Sequence, residues 1–452
     1  MSRAPLDAEF APAVQFNRDY LKTSAADPTA PIALALEREN GLVSRFATIC
    51  RPVADAETLR YVERIVKFLL WARGGWRLTV GGPRAIGEHI QAAYRPGGAR
   101  AFDADLMSRV YEHPFEVRLA EAESVPAENE TTAEVGGHFD GCRVGFDLGA
   151  SDYKVAAVKD GEVVYSAEFP WNPKDQTDPE YHYERLSSGV RAAASQLPRV
   201  DAIGGSSAGV IVDNKIMVAS LIRAVPASKL AAARGLFLRL RDEWKVPLAV
   251  ANDGDVTALA GAISLKKNGL LGIAMGSSQA AGYINPQGAM TGWLSELAFV
   301  PVDYNPGAPA DEWSQDAGVG ALYFSQQAVN KLLPAAGLEF PAGMGQPERL
   351  KEVQLLMSKG DPRAGKIYET IGVYLGWSMA HYADFYEFDD ALILGRVTTG
   401  PGGEILLDTA RRVLRREFPE LAARIRLHLP DEQSRRVGQA VAAASLPAIS
   451  AA

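Results

Sequence analysis

Cysteine, long apolar stretches and an excess of positive charge are all missing from this chain of 452 residues. Only Cys50 and Cys142 occur, too few for a disulfide scaffold or a four-cysteine zinc site, and typical of a reducing cytoplasm. The apolar runs are far shorter than the ~18 residues of a membrane-spanning helix, and the first residues lack the apolar core of a signal peptide. The net charge of −8 argues against broad contacts with nucleic acid or an anionic membrane.

What is present indicates a protein with large apolar cores. The hydrophobic fraction is 47% and the charged fraction 23%, values of an ordinary globular protein. The length favours two to four domains. Composition excludes classes of protein but does not identify a function.

Residues 1–120 predict a small mixed α/β unit. The stretch AETLRYVERIVKFLLWARGG has apolar residues at helical spacing and ends at a glycine pair. A strand (WRLTV), a second helix (PRAIGEHIQAAY) and another strand (PFEVRL) follow. Basic and acidic residues are nearly balanced here, which argues against a DNA-recognition module. Residues 121–140 are acidic and contain no Lys or Arg, which predicts a solvated linker.

A repeated pattern begins at Arg143. Three predicted strands, RVGFD, KVAAV and EVVYS, precede a helix (YHYERLSSGVRAAASQL) and a further strand (AIGGSS), and the first two strands meet at a Gly-Ala-Ser corner. Later, LLGIAM and QAAGYIN are two strands joined by the corner Gly276-Ser277-Ser278. The repetition indicates an internally duplicated fold with two anion-binding corners. Two unrelated hairpins are the alternative.

The first corner, FDLGASDYK, combines groups that suit a phosphate and its metal ion. A glycine at the bend lets backbone N–H groups approach an anion. Asp147, at the end of the strand, can hold a hydrated Mg²⁺. An ordinary tight hairpin, with the aspartate bonded to its own turn, explains the same residues equally well.

The stretch VPLAVANDGDVTALAGA predicts a strand that delivers Asn252 and Asp253 to its C-terminal edge, where active groups of α/β sheets collect. Asp253 or Asp255 is expected either to cap the helix that begins near Val256 or to take a proton from a bound hydroxyl group. Spacing alone leaves both roles open. Glu296 follows a glycine-rich approach and, taken alone, reads as a solvated surface residue.

Together these motifs resemble the ROK family of sugar kinases and regulators, within the actin-like and hexokinase-like ATPase superfamily. The match runs from about Arg143 to the C-terminus and rests on FDLGASDYK, VANDGDVTALAGA, MGSSQAAGYINPQGAMTGWLSEL and LILGRVTTG, in the order of the family. The resemblance implies an α/β, two-lobed actin-like ATPase fold (a duplicated ribonuclease-H-like fold) with an extra N-terminal unit. The expected domains are residues 1–120 (extension), 121–140 (linker), 141–250 with helix 431–447 (first lobe) and 251–430 (second lobe).

The resemblance also implies roles for individual residues. Asp253 is the expected general base, and Asp147 the expected Mg²⁺ ligand through water. Sugar-hydroxyl contacts are expected from Asn252 and Glu296, and Arg223 lies in a stretch that approaches the sugar in relatives, although a surface arginine is the simpler interpretation. The expected nucleotide and phosphate contacts are Asp147, Gly149, Ser151, Lys154, Gly276, Ser277, Ser278 and Gly395.

The sequence departs from the family pattern at several positions. Leu297-Ala298 stands where a Gly-His pair is usual, and residues 301–325 contain no Cys or His where a zinc segment is usual, so we expect no zinc site. Ser278 and Ala280 stand where glycines are common, and an added Cβ narrows the approach to an anion. The sugar pocket is therefore expected to differ, and glucose is not assumed.

The sequence thus predicts a cytoplasmic, ATP- and Mg²⁺-dependent kinase that phosphorylates a hydroxyl of a sugar or polyol. A non-catalytic regulator that binds a sugar or nucleotide is the alternative. By analogy with the family we expect a homodimer, without nucleic-acid or membrane partners. The extension is expected to cover the cleft, to lengthen the first lobe's sheet or to make a subunit contact, and the sequence does not choose among these.

Overall fold

The fold is described from a computed structural model for residues 1–25, 28–130, 136–149, 151–430 and 434–449. The chain forms two compact units. The first comprises Met1–Thr131, Ile273–Ala281 and Gly292–Leu429, and the second comprises Thr132–Gly272, Gly282–Thr291 and Pro430–Ala452. A search of the described residues finds no helix with the length and apolar character needed to cross a membrane.

The helices and strands alternate along the chain. The N-terminal part contains α1 (Ala13–Ser24), β1 (Ala30–Glu37), β2 (Val43–Cys50), α2 (Ala56–Arg73), β3 (Arg77–Gly81), α3 (Arg84–Tyr94), α4 (Ala101–Tyr111) and β4 (Glu116–Ala120). The middle part contains β5 (Cys142–Leu148), β6 (Asp152–Lys159), β7 (Glu162–Pro170), α5 (Pro179–Ala194), β8 (Ala202–Ser207), β9 (Val210–Val212), β10 (Lys215–Val218), α6 (Leu230–Arg234), α7 (Leu236–Trp244), β11 (Leu248–Asn252) and α8 (Asp253–Leu265). The C-terminal part contains β12 (Leu270–Met275), β13 (Gln279–Ile284), α9 (Gln326–Leu332), α10 (Gln346–Ser358), α11 (Pro362–Ala383), β14 (Asp390–Leu394), α12 (Pro401–Glu417), α13 (Pro419–Arg424), β15 (Arg426–His428) and α14 (Ser434–Ala444).

The N-terminal residues form a sheet of their own, in the order β2-β1-β3-β4. Helix α2 begins where Asp55 accepts a hydrogen bond from the Thr58 amide (2.8 Å) and ends at Gly74, whose φ of 76° suits a glycine. The predicted helices and strands of this part are confirmed. The β1–β2 hairpin and α4 were not predicted.

The first half of the acidic stretch 121–140 is ordered within the first unit, contrary to the expectation of a solvated linker. Val125 is buried, and Asn129 pairs with Val43 in an isolated β-bridge. Glu130 forms an ion pair with the buried Arg38. Position-specific apolar and ionic contacts therefore order this segment despite its polar composition. Residues 131–135 lie outside the described part of the chain.

The second unit is organised around a five-stranded sheet of order β11-β8-β5-β6-β7. Strands β5, β8 and β11 are parallel, whereas β6 and β7 continue the sheet in antiparallel fashion. Phe146, Val155 and Leu186 belong to its apolar core, together with Phe237 from α7. Helix α14 packs against this sheet, because Ala440 and Ala444 form a cluster with residues of β6. Residues 431–433, the start of the predicted C-terminal helix, lie outside the described residues.

A four-stranded sheet of order β13-β12-β14-β15 repeats part of the order of the five-stranded sheet. When the strands are matched in chain order, it corresponds to β6-β5-β8-β11. The pair β14–β15 is parallel, as is its counterpart β8–β11. The prediction of an internally duplicated fold is therefore confirmed. Helix α11 buries Ile367, Ile371, Leu375 and Met379, which lie at helical spacing along the sequence.

The N-terminal extension belongs to the same compact unit as residues 292–429. The ring of Trp71 in α2 stacks on Phe299 with 4.2 Å between ring centres, and Arg64 bonds to Asp316 at 3.0 Å. Lys67 is fully buried and pairs with Asp103 (3.0 Å) and with Asp316 (3.2 Å). The extension thus has an intramolecular docking partner in the segment expected to form the second lobe. The sequence did not indicate it.

Candidate active site

Three parallel strands bring polar residues together at one edge of the five-stranded sheet. In the parallel register, Asp147 of β5 lies beside Ser206 of β8, and Ser207 lies beside Asn252 of β11. The carboxyl ends of parallel strands meet at a common edge. Asp147 and Asn252, which the sequence singled out separately, are therefore held close together by the sheet.

Asp147 is a buried carboxyl group. The hydroxyl of Ser206 donates a hydrogen bond of 2.7 Å to its Oδ1. Burial raises the pKa of Asp147, while the hydrogen bond from Ser206 and the charge of Lys154 oppose that shift. Lys154 lies directly across from Asp147 in the β5–β6 pairing. This polar, oxygen-rich setting at a strand end suits a cation.

Asp253 is the first residue of α8 and is partly buried. Burial and the negative charge of Asp147 raise the pKa of Asp253 to about 7. Hydrogen bonds with backbone amides, including that of Gly254, oppose the shift. A carboxyl group with a pKa near neutrality is suited to accept a proton at physiological pH.

The cap of α8 is Asn252, not an aspartate as expected. Its Oδ1 accepts a hydrogen bond from the amide of Gly254 (2.7 Å), and its Nδ2 donates to the carbonyl of Gly209 (2.7 Å). The helix consequently begins at Asp253 rather than near Val256. Because the side chain of Asn252 caps the helix, the side chain of Asp253 is not needed as the cap. Asn252 keeps one N–H for a further partner.

The first corner is a tight turn between β5 and β6. The amide of Gly149 donates to the carbonyl of Asp152 (3.0 Å), and the Ser151 hydroxyl donates to the Asp152 carboxylate (2.9 Å). The indole of Trp171 donates to the Gly149 carbonyl (2.9 Å). Gly149 and Ser151 therefore lie in the turn that directly follows β5, the strand that contains Asp147. Ala150 lies outside the described residues.

The second corner joins β12 to β13 in the first unit. The Gly276 amide donates to the Ser278 carbonyl (3.0 Å), and the Gly276 carbonyl accepts from the amide of Gln326 at the start of α9 (2.9 Å). Ser277 and Ser278 are exposed and accessible to a ligand.

Gly395, at the end of β14, lies against the strand that enters the second corner. Its φ is 101°, and a Cβ at this position would lie 2.6 Å from the carbonyl oxygen of Met275. A glycine is therefore required here for close backbone approach. The structure brings together Gly276 and Gly395, which the sequence linked only through their expected ligand.

Glu296 lies on a loop of the first unit, immediately before a short 3₁₀ turn (Leu297–Phe299). It is partly buried rather than fully solvated. The preceding residue, Ser295, is buried and adopts a left-handed backbone conformation with a φ of 50°. Such a conformation costs about 1–2 kcal/mol for a residue with a Cβ. The loop that carries Glu296 is thus locally strained.

Arg223 is exposed on the surface of the second unit. Its guanidinium group pairs with Asp175 at 3.3 Å and donates to the Lys174 carbonyl at 3.2 Å. The geometry fits the simpler interpretation of a surface arginine.

Two partners in the site were not singled out from the sequence. Ser206 supports Asp147, and Gln439 of α14 bonds to Thr257 and to the carbonyl of Asp253. The strand AIGGSS ends in the same small residues, GSS, as the second corner, and this likeness could have drawn attention to Ser206. Nothing in the local sequence marks Gln439.

The residues present fit a bound Mg²⁺ ion. Mg²⁺ prefers carboxylate and water oxygens, and Asp147 supplies a buried carboxyl group beside the hydroxyl of Ser206. The negative charge of Asp147 raises the cost of ionising Asp253. Among the described residues, no group of three or more Asp, Glu, His or Cys side chains is arranged to hold a metal by itself. A cation here would therefore share its coordination with water or substrate.

Comparisons with known proteins find likeness in structure only. No family model matches the sequence, and no curated protein matches it. Among solved structures, a ROK hexokinase from Thermus thermophilus superimposes with a TM-score of 0.53 at 18% identity, covering 68% of this chain and 97% of that protein.

Two further solved structures of similar fold have different functions. A ROK family transcriptional regulator, a homolog of the E. coli MLC protein, gives a TM-score of 0.55 at 19% identity, with 67% of this chain and 77% of that one covered. A ROK family glucokinase from Streptomyces griseus, solved with glucose and AMPPNP, gives 0.50 at 19% identity, with 68% and 99% covered.

The chain therefore has the fold of ROK family proteins, as the resemblance implied. The extent covered agrees with a match that begins near Arg143. At these identities the likeness concerns the fold, and both kinases and a regulator share it.

Proposed function

We propose that this protein is an ATP- and Mg²⁺-dependent phosphotransferase acting on a hydroxyl group of a sugar or polyol. The observation that carries the proposal is the pair of neighbouring carboxyl groups, Asp147 and Asp253, at the carboxyl edge of the parallel strands. The raised pKa of Asp253, about 7, matches the requirement for a general base. The solved kinases with this fold support the same reaction class.

In the proposed reaction, Asp253 accepts the proton of the attacking hydroxyl group as the oxygen bonds to the terminal phosphorus of ATP. The bond between that phosphorus and the bridging oxygen breaks, and ADP leaves. Asn252 orients the acceptor through its remaining N–H, and Glu296 provides a further hydroxyl contact. Asp147 would hold Mg²⁺ through water, and the ion would supply neutralisation of charge on the phosphate oxygens. The proposal keeps the phosphate contacts predicted from the sequence, which are Gly149, Ser151 and Lys154 of the first corner and Gly276, Ser277 and Ser278 of the second. Gly395 borders the nucleotide.

A regulator that binds a sugar or nucleotide without turnover is the second candidate. Ser278 and Ala280 in the second corner favour it, because their Cβ atoms restrict the approach of phosphate to the backbone. The similarity to a solved transcriptional regulator also supports it. The near-neutral pKa of Asp253 favours the kinase, since a regulator needs no proton acceptor.

The direct test is ADP release from Mg-ATP in the presence of single sugars and polyols, with nucleotide binding measured in parallel by calorimetry. Release that depends on one acceptor supports the kinase. Sugar binding without release supports the regulator. Failure to bind any nucleotide contradicts the kinase proposal outright.

The pH dependence of the reaction follows from the pKa of Asp253. The base works only when ionised, so kcat/KM for the acceptor, at saturating Mg-ATP, should rise about tenfold per pH unit below about 7 and level off above it. The measurement is initial rates between pH 5.5 and 9 at constant ionic strength. A rate that falls as the pH rises from 6 to 8 would contradict the role of Asp253 as the base.

The proposal also includes a cytoplasmic location, where ATP is available, and a homodimer. The dimer rests on analogy with the family alone. Light scattering of the full chain measures its mass directly, and a mass of one chain at micromolar concentration would exclude the dimer.

A further inference from the structure

The loop that carries Glu296 is bonded to the C-terminal end of α2. In this loop, residues 292–297, the amides of Leu294, Ser295 and Glu296 donate to consecutive carbonyls at the end of α2. The distances are 3.4 Å to the Arg73 carbonyl, 2.9 Å to Ala72 and 3.0 Å to Trp71. The last carbonyls of a helix have no partner within the helix. The loop supplies these partners, and the helix end in turn fixes the loop backbone.

The N-terminal residues also hold the beginning of the same loop. The indole N–H of Trp293 donates to Glu130 (3.0 Å), and the guanidinium of Arg73 lies 4.4 Å from the centre of the Trp293 ring. Arg38 donates to the carbonyl of Gly292 (3.2 Å) and pairs with Glu130. Arg38 is buried, so its ion pair and its bond to Gly292 are well shielded from water. Both ends of the loop are therefore held by residues of the first 130.

The contacts from the end of α2 explain how Ser295 keeps an unfavourable backbone conformation. A buried serine with a left-handed backbone is unfavourable by itself and persists only where the surroundings determine it. Among the described residues, no hydrogen-bond partner is found for its hydroxyl group either. The bond from the Ser295 amide to the Ala72 carbonyl fixes this residue, and the residue fixes the direction in which the chain continues to Glu296.

We infer that the first 130 residues are a positioning element for the acceptor site: the end of α2, together with Glu130 bonded to Trp293, holds the loop in the conformation that presents Glu296 to a hydroxyl group of a sugar or polyol. The inference rests on the proposed function. Trp293 and Glu130 are positioning residues, because they act through the loop and not on the substrate. The extension thereby determines how well the acceptor binds.

The test uses Trp293→Phe in the full chain. Phenylalanine keeps an aromatic ring beneath Arg73 but removes the hydrogen bond to Glu130. We expect faster amide exchange in residues 294–299, and a KM for the acceptor raised about threefold to tenfold, the range of one lost hydrogen bond. The KM for ATP should stay unchanged. D-Glucose, D-mannose and N-acetyl-D-mannosamine serve separately as acceptors.

Trp313→Phe is the matched control, because Trp313 is 63% exposed in the same unit. It should leave amide exchange and both KM values unchanged. Glu130→Gln is a second variant, which keeps an acceptor for Trp293 but loses the charge that pairs with Arg38, and it should change the same observables.

Unchanged exchange in residues 294–299 of both variants overturns the inference. Faster exchange with an unchanged KM for the acceptor overturns it as well, because the loop would then not act on binding. A global loss of folding would speed amide exchange throughout the chain and lower the active fraction, so exchange outside residues 294–299 distinguishes it from a local change in the loop. If the wild type phosphorylates none of the three sugars in the presence of Mg-ATP, the proposed function fails for these acceptors and the exchange data alone decide whether the loop is held as inferred.

Discussion

Replacing Asp253 with asparagine should abolish acceptor-dependent release of ADP while raising thermal stability above pH 7. The loss in kcat is expected to be about 10²–10⁴-fold, the usual contribution of a positioned general base. Asparagine has nearly the same shape but cannot accept the proton. Nucleotide affinity, measured by calorimetry with a non-hydrolysable ATP analogue, should stay nearly constant.

The expected gain in stability has the sign set by the pKa shift. The pKa of Asp253 is raised from 3.8 to about 7 in the folded protein. A raised carboxyl pKa contributes stability that is fully present below the unfolded value and is lost as the pH rises through the folded value. At pH 8 this loss is on the order of 4 kcal/mol, and Asp253→Asn removes it. The variant should therefore unfold at higher temperature than the wild type at pH 8, with little difference at pH 4.

Asp255→Asn is the matched control, two residues further along the same helix, and it should retain turnover. The combination of lost activity with gained stability separates a functional role from misfolding, since a misfolded variant would lose both. If the turnover of Asp253→Asn is within threefold of the wild-type value, Asp253 is not the general base.

Replacing Lys67 with methionine should cost about 3–5 kcal/mol of folding free energy, the penalty for removing one partner of a buried ion pair. The Lys67 ammonium group lies 3.0 Å from the Asp103 carboxylate and 3.2 Å from Asp316, and Asp103 is 1% exposed. Without Lys67, the charge of Asp103 is left buried with only the Trp71 indole as a donor (3.1 Å). Unfolding in urea at pH 8 measures the effect.

Three comparisons test this explanation. Lys351→Met, at an exposed position of α10, should change stability little. Adding Asp103→Asn to Lys67→Met should restore more than half of the loss, because the uncompensated charge is then gone. Burial already raises the pKa of Asp103 in the wild type. The penalty of Lys67→Met should therefore shrink toward pH 5, where Asp103 is protonated more readily, and a penalty that grows toward low pH would contradict the explanation.

Local patterns predicted the parts of the fold that local physics determines. The two corners, the strand that delivers Asn252, and the buried face of α11 all follow from alternation, helical spacing and turn residues. The identity of the α8 cap could not be predicted in this way, because Asn252, Asp253 and Asp255 are all good capping residues. The bond from Asn252 to Gly209, which the sequence does not reveal, favours Asn252 as the cap.

The docking of the extension was beyond prediction for a different reason. Arg64 and Asp316 are separated by 252 positions, and neither carries a local signal of the other. Glu130 sits in a stretch whose composition is typical of a linker, and only the buried Arg38 explains why it is ordered. Partners so distant in sequence are revealed by the three-dimensional structure alone.

The same separation affects how the chain is made. During synthesis, at roughly 5–20 residues per second, Asp316 leaves the ribosome about 10–50 s after Arg64. Throughout that interval Arg64 and Lys67 lack Asp316, one of their two counter-ions, and the apolar side of Trp71 has no Phe299 to cover it. The nascent N-terminal part therefore lacks these contacts until the C-terminal half emerges.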